Sequence, residues 1–159
     1  MSNEKEAKNV FRTIIKAFDS EDYKYTVNEE ELTVTITFKT DDLSATFKFI
    51  VDAERDLVRL LSFLPLSFSE EKRVDGALAT VVANHNMING SFDFDLSDGE
   101  IVFKMTTSYR GGVIDEACIL YMLNVSLNMV DRYNDRFYDL SLGKMDLKEF
   151  IDKENESEN

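Results

Sequence analysis

The sequence predicts an α+β fold, an antiparallel sheet of about five strands packed with three main helices in the order α-βββ-α-ββ-α. Three observations carry this reading. Apolar and polar residues alternate in Glu31–Thr40, Ala45–Val51, Phe92–Leu96 and Ile101–Thr107, apart from Ile50, Val102 and Thr107, so one face of each segment is mainly apolar, as in a half-buried strand. Apolar residues recur instead at helical spacing near the start, in the middle and near the end of the chain. Asp41-Asp42 and Asp98-Gly99 stand between consecutive alternating runs, where hairpin turns belong.

In the first helical segment, Ala7, Val10, Phe11, Ile14, Ile15 and Phe18 fall on one stripe and Lys8, Arg12 and Lys16 on the other side. It ends in the charged patch Asp19-Ser20-Glu21-Asp22, followed by a short extended piece from Tyr23 to Val27. Leu32, Val34, Ile36 and Phe38 then point one way along the first full strand, and Ala45, Phe47, Phe49 and Val51 along the second. The apolar run Leu57–Leu64 makes a third strand, ended by Pro65, the only proline, because proline cannot donate to a ladder.

The chain is organised around Glu70 to Tyr109. Val74, Leu78, Val81, Val82 and Ile88 give a central helix with a core stripe, and Gly90 stands where a left-handed cap would end it. His85 projects onto that stripe and is expected to be buried and hydrogen-bonded. A hairpin with a two-residue Asp98-Gly99 turn follows. After the joint at Gly111-Gly112, a long helix runs from about Asp115 to Phe137 with a core stripe of Ile119, Leu123, Leu127, Val130 and Phe137. Cys118, Tyr121, Met122, Val125 and Met129 form a second apolar arc on it, and these five residues are the candidate interface. A short helix, Asp146 to Asp152, and an acidic, disordered tail complete the chain. Residues 6–152 are thus read as one domain and 153–159 as the tail.

Thirty-one acidic residues against 18 basic ones leave a net charge of -13, a field that repels nucleic-acid phosphates and anionic lipid alike. One cysteine cannot form an internal disulfide, and the first residues lack an export pattern, so a reducing cytoplasm is the expected setting. Asp93, Asp95, Asp98 and Glu100 cluster, but the glycine and the terminal glutamate of a calcium loop do not fall at the required positions, so no metal is expected. Gly111-Gly112 lacks the further glycines and the lysine of a phosphate-binding loop. With one histidine and one cysteine on different helices, no catalytic set emerges, and no cofactor is expected.

Asn84, the run Gly90-Ser91-Phe92-Asp93-Phe94-Asp95, the turn Asp98-Gly99-Glu100-Ile101 and the strand through Phe103 resemble the YbjN family of bacterial sensory transduction regulators. A looser likeness runs from Arg132 through Leu142 and into the short helix at Asp146 to Ile151. The resemblance implies a twisted sheet of the type III secretion-chaperone kind, a dimer, and no active site to carry over. The leading functional reading is a non-enzymatic protein-binding module, chaperone-like or regulatory, with a protein or peptide partner. Two alternatives stand beside it: a small enzyme or ligand-binding domain with a pocket between sheet and helices, and a structural homodimer subunit. The second arc of the long helix is expected to form a homodimer or partner interface, unless the terminal helix folds back over it through Leu147, Phe150 and Ile151.

Overall fold

The structure, a computed structural model, describes residues 2–39, 43–85 and 87–157. The chain folds as α1 (Ser2–Ser20), β1 (Tyr25–Asn28), β2 (Thr33–Phe38), β3 (Ala45–Asp52), β4 (Leu57–Ser67), a 3-10 turn (Glu70–Lys72), α2 (Arg73–Asn84), β5 (Ser91–Phe94), β6 (Glu100–Ser108), α3 (Glu116–Ser141) and α4 (Leu147–Ser157). Six strands in the order β1-β2-β3-β4-β6-β5 make one antiparallel sheet. The fold is α+β as expected, with one more strand and one more substantial helix than the sequence suggests. β1 is the added strand. It pairs with β2 through its backbone while its side chains remain largely exposed, so hydrophobic patterning gives it little signal.

Alternation is what places the core. Val34, Ile36, Phe47, Phe49, Val51, Val58, Leu60, Phe92, Ile101 and Phe103 point from successive strands to one face and are buried under the helices. Phe38, at the end of β2, packs against this core only partly buried. α1 contributes Ala7, Val10, Phe11, Ile14, Ala17 and Phe18, with Phe18 set edge-on to Phe49 at 5.5 Å.

Four local readings are corrected. β4 continues through Pro65: its pairing with β3 stops at Leu61, and its register with β6 shifts between Phe63 and Ser67, so the missing N–H falls where the ladder is already interrupted. The β5–β6 connection is longer than two residues. Asp95 N–H donates to the Glu100 carbonyl at 2.9 Å, Gly99 N–H donates to the Asp95 carbonyl at 2.8 Å, and only Gly99 has positive φ, at 80°. Gly99 also lies against the Phe68 backbone, which leaves no room for a Cβ.

The third correction concerns α2, which buries the opposite face from the one its large residues mark. Val74, Leu78 and Val81 are 65%, 48% and 67% exposed, whereas Gly76, Ala79, Thr80 and Ala83 face inward. Close approach decides this: a Cβ on Gly76 would lie 2.5 Å from the Phe94 ring and 2.9 Å from Phe68, so only a small-residue face lets the helix down onto the sheet. His85 follows the helix and is exposed, not buried. Fourth, Gly90 has positive φ but lies beyond the helix end at Asn84; it serves the entry to β5, where the Phe103 ring lies against it.

Candidate functional site

α3 begins where Asp115 caps it, the side chain accepting from the Cys118 N–H at 2.8 Å. The five residues of the expected interface then divide. Met122 is only 2% exposed and belongs to the core, a correction to its place on the arc. Its neighbours Ile119, Leu123 and Ser126 share that buried side, so α3 turns a wider stripe to the sheet than the sequence suggests. Cys118, Val125 and Met129 are half-buried, and Tyr121 is half-exposed. Burial, and then Asp115, push the Cys118 thiol above its ordinary range, which lowers its reactivity as a nucleophile.

Tyr121, Val125 and Met129 form one wall of a groove of about 620 Å³. Ala83, Met87, Ile88 and Asn89, from the end of α2 and the loop after it, form the other wall. Asn89 Nδ2 donates to the Tyr121 hydroxyl at 2.8 Å and ties the walls together. Ile88, expected in the core, is 98% exposed at the rim of the groove. Two separate apolar surfaces result: the groove, reached by Ala83 from the inward face of α2, and the exposed stripe Val74, Leu78 and Val81 on the opposite face of that helix.

Asn84 fixes the loop that builds this rim. Its Nδ2 donates to the Phe92 carbonyl at 2.8 Å, and its Oδ1 accepts from the Phe92 N–H at 2.8 Å. Phe92 sits on the edge strand, so one amide side chain satisfies both backbone groups and acts as a one-residue substitute for a further strand.

At its other end the groove meets α4. A reciprocal cap starts that helix: Glu149 N–H donates to Asp146 Oδ1, and Asp146 N–H donates to a Glu149 carboxylate oxygen, both at 2.8 Å. Phe150 is fully buried, 5.3 Å from the Phe137 ring centre and 6.5 Å from that of Tyr133. Tyr133 and Phe137 in turn pack edge-on to Phe92, so one aromatic cluster joins β6, β5, α3 and α4. α4 therefore docks on Tyr133 and Phe137 and not over Tyr121 and Val125, which leaves the groove open.

One turn beyond Phe150, Glu154 is 6% exposed and accepts from Arg132 at 3.1 Å, from Arg136 at 2.9 Å and from the Tyr133 hydroxyl at 2.5 Å. Both guanidinium groups also lie over the Tyr133 ring, at 5.3 and 5.7 Å. Burial, and then the bond to Glu154, raise the Tyr133 hydroxyl far above its ordinary range. Residues 153–157, assigned to a disordered tail from their acidity, thus belong to α4 and include a buried ion cluster. A signal for it exists in the four-residue spacings of Phe150 with Glu154 and of Arg132 with Arg136, which place each pair on one helix face.

The acidic hairpin residues have structural work. Asp95 accepts from the Ser97 N–H at 2.8 Å and the Ser97 hydroxyl at 2.6 Å, Asp98 accepts from the Glu100 N–H at 2.9 Å, and Asp93 pairs with Lys104. Ser97 hydrogen bonding holds the Asp95 carboxyl below its usual range. Among the described residues, no helix is long and apolar enough to cross a membrane.

The architecture is shared with solved structures of little sequence likeness. One is "Crystal structure of YbjN, a putative transcription regulator from E. coli", with a TM-score of 0.56 and 10% identity over 75% of this chain and 84% of that one. Another is a chain of "Structure of the HopA1-SchA Chaperone-Effector Complex", with a TM-score of 0.53 and 11% identity over 80% of this chain and 96% of that one. No curated protein matches the sequence. Residues 12–139 match the model of the family described as "Putative bacterial sensory transduction regulator", and the match spans every strand, α2 and nearly all of α3. The chain belongs to the YbjN family.

Proposed function

We propose that this chain is a non-enzymatic protein-binding module of the bacterial cytoplasm, chaperone-like or regulatory, that takes a segment of a partner protein in the groove between α2 and α3. The observation that carries this reading is the open groove whose apolar walls are formed by Met87 and Ile88 on one side and Tyr121, Val125 and Met129 on the other. A chain with a net charge of -13 has ample polar surface to stay soluble, so an open groove walled by large apolar side chains suits a partner better than water. The regulatory description of the family and the likeness to a chain of a chaperone–effector complex support the same reading. Affinity capture from the native cell, followed by mass spectrometry, tests it with Val125→Asp as the variant. The charge enters a half-buried apolar wall, so partner capture is lost while circular dichroism remains that of a folded protein. Undiminished capture refutes the groove as the binding surface.

A second reading, a homodimer, is favoured by α2 alone. Val74, Leu78 and Val81 follow one another at four- and three-residue spacing with no charge between them on that face, which permits a self-complementary antiparallel helix pair. Light scattering of the native chain and of Leu78→Asp tests this. A dimer that becomes a monomer supports it, and a native monomer at high concentration refutes it.

A further inference from the structure

The open groove and the seat of α4 form one valley between α2 and α3, and Glu154 stands at their junction: it is the last anchor of α4 and also lines the groove. Arg132 is the only cation among the described lining residues. Its side chain is 39% exposed, and one of its N–H groups is directed at Glu154, whereas a guanidinium offers five. α4 itself shows what this valley accepts. It is an 11-residue helix, too short to be stable alone, held by the buried Phe150 ring, the Glu154 carboxylate and the partly buried Leu147 and Ile151. Its Lys148, Glu149 and Asp152 face solvent.

We infer that the valley is an exchangeable seat for an acidic amphipathic helix, held in cis by α4, and that the partner is a helix of the same pattern, an aromatic anchor followed four residues later by a carboxylate. This inference rests on the binding role proposed above and names the partner's chemistry and its regulation. Charge complementarity argues for it, since two arginines converge on one carboxylate in a chain that is otherwise strongly acidic. Continuity argues for it as well. A longer partner helix reaches the apolar wall at Val125 and Met129, which α4 leaves uncovered, and that added burial is what lets it compete with a tethered occupant. α4 thereby acts as a built-in competitor that keeps weak or neutral segments out.

The test uses the full chain and a fluorescein-labelled peptide spanning residues 144–157, followed by fluorescence anisotropy. An emptied chain carries Phe150→Ala with Glu154→Gln, which removes both anchors of the cis helix and leaves the arginines in place. The peptide is expected to bind this chain at least about tenfold more tightly than it binds the native chain, because the tethered competitor is gone. A peptide with glutamine in place of its Glu154 is expected to bind about tenfold more weakly than the acidic peptide, and Arg132→Ala with Arg136→Ala in the emptied chain removes that difference. Equal binding to native and emptied chains, or equal binding of the two peptides, overturns the inference. Should the emptied chain lose its folded circular-dichroism signal, Glu154→Gln alone carries the comparison, with a gain of about threefold expected and no gain decisive against it. Failure of the peptide to discriminate while Val125→Asp still abolishes partner capture refutes the seat and leaves the binding module standing. The opposite pattern retains the seat and refutes the module.

Discussion

Replacing Glu154 with alanine should destabilise the protein by about 2–4 kcal/mol, an estimate bounded by single charged hydrogen bonds below and fully buried ion pairs above. The carboxylate is 7% exposed and accepts three hydrogen bonds, from Arg132, Arg136 and Tyr133, and its loss removes all three. A single hydrogen bond to a charged group contributes about 1.5–3 kcal/mol, and breaking a fully buried ion pair costs about 3–5 kcal/mol. The three bonds do not sum, because Arg132 and Arg136 are 39% and 23% exposed and recover part of their hydration. For a chain of this size each kcal/mol lowers the melting temperature by about 2–4 °C, so a fall of about 4–16 °C is expected. Thermal melts followed by circular dichroism at fixed ionic strength measure it. Deleting residues 154–159 should give a similar fall, although their acidity alone suggests that the deletion is neutral. A change under about 1 °C would refute the buried cluster, and so would a loss that vanishes in high salt, because salt screens exposed pairs far more than buried ones.

Tyr133 gives the pH dependence of the same cluster. Its folded-state value is raised above the ordinary tyrosine value of 10.0, so the native protein keeps this proton where the unfolded chain has lost it. The associated stability is complete below about pH 10 and is lost as pH rises above it; the Tyr133→Phe variant should lack that alkaline loss in denaturant melts. Asn84→Ala removes both hydrogen bonds to the Phe92 backbone and should cost about 1–3 kcal/mol by urea denaturation, with a cost near zero showing that water replaces the clamp. Phe92→Ala removes a ring that is 1% exposed and packs on Phe103, Tyr133 and Phe137, and it should cost about 3–5 kcal/mol, with less than about 1 kcal/mol placing the ring outside the core.

The sequence by itself determined the class of the fold and most of its elements. A period of two in β2, β3, β5 and β6 fixes which residues face inward, and Phe47, Phe49, Phe92 and Phe103 lie where that parity puts them, because a strand has only two faces. Asn84 was legible as part of the family likeness, whereas its two bonds to Phe92 depend on where α2 comes to rest beside an edge strand. Tertiary structure decided which face of α2 is buried: periodicity marks Val74, Leu78 and Val81, but contact with Phe68 and Phe94 admits only the face bearing Gly76 and Ala79. It also divided the arc on α3, drawing Met122 into the core and leaving Tyr121 at the groove, since the width of a helix stripe depends on what packs beside it. The end of the chain shows the same limit most sharply. An acidic run reads as solvated when its charges are considered alone, and Glu154 is buried only because Arg132, Arg136 and Tyr133, far away in sequence, meet it in space.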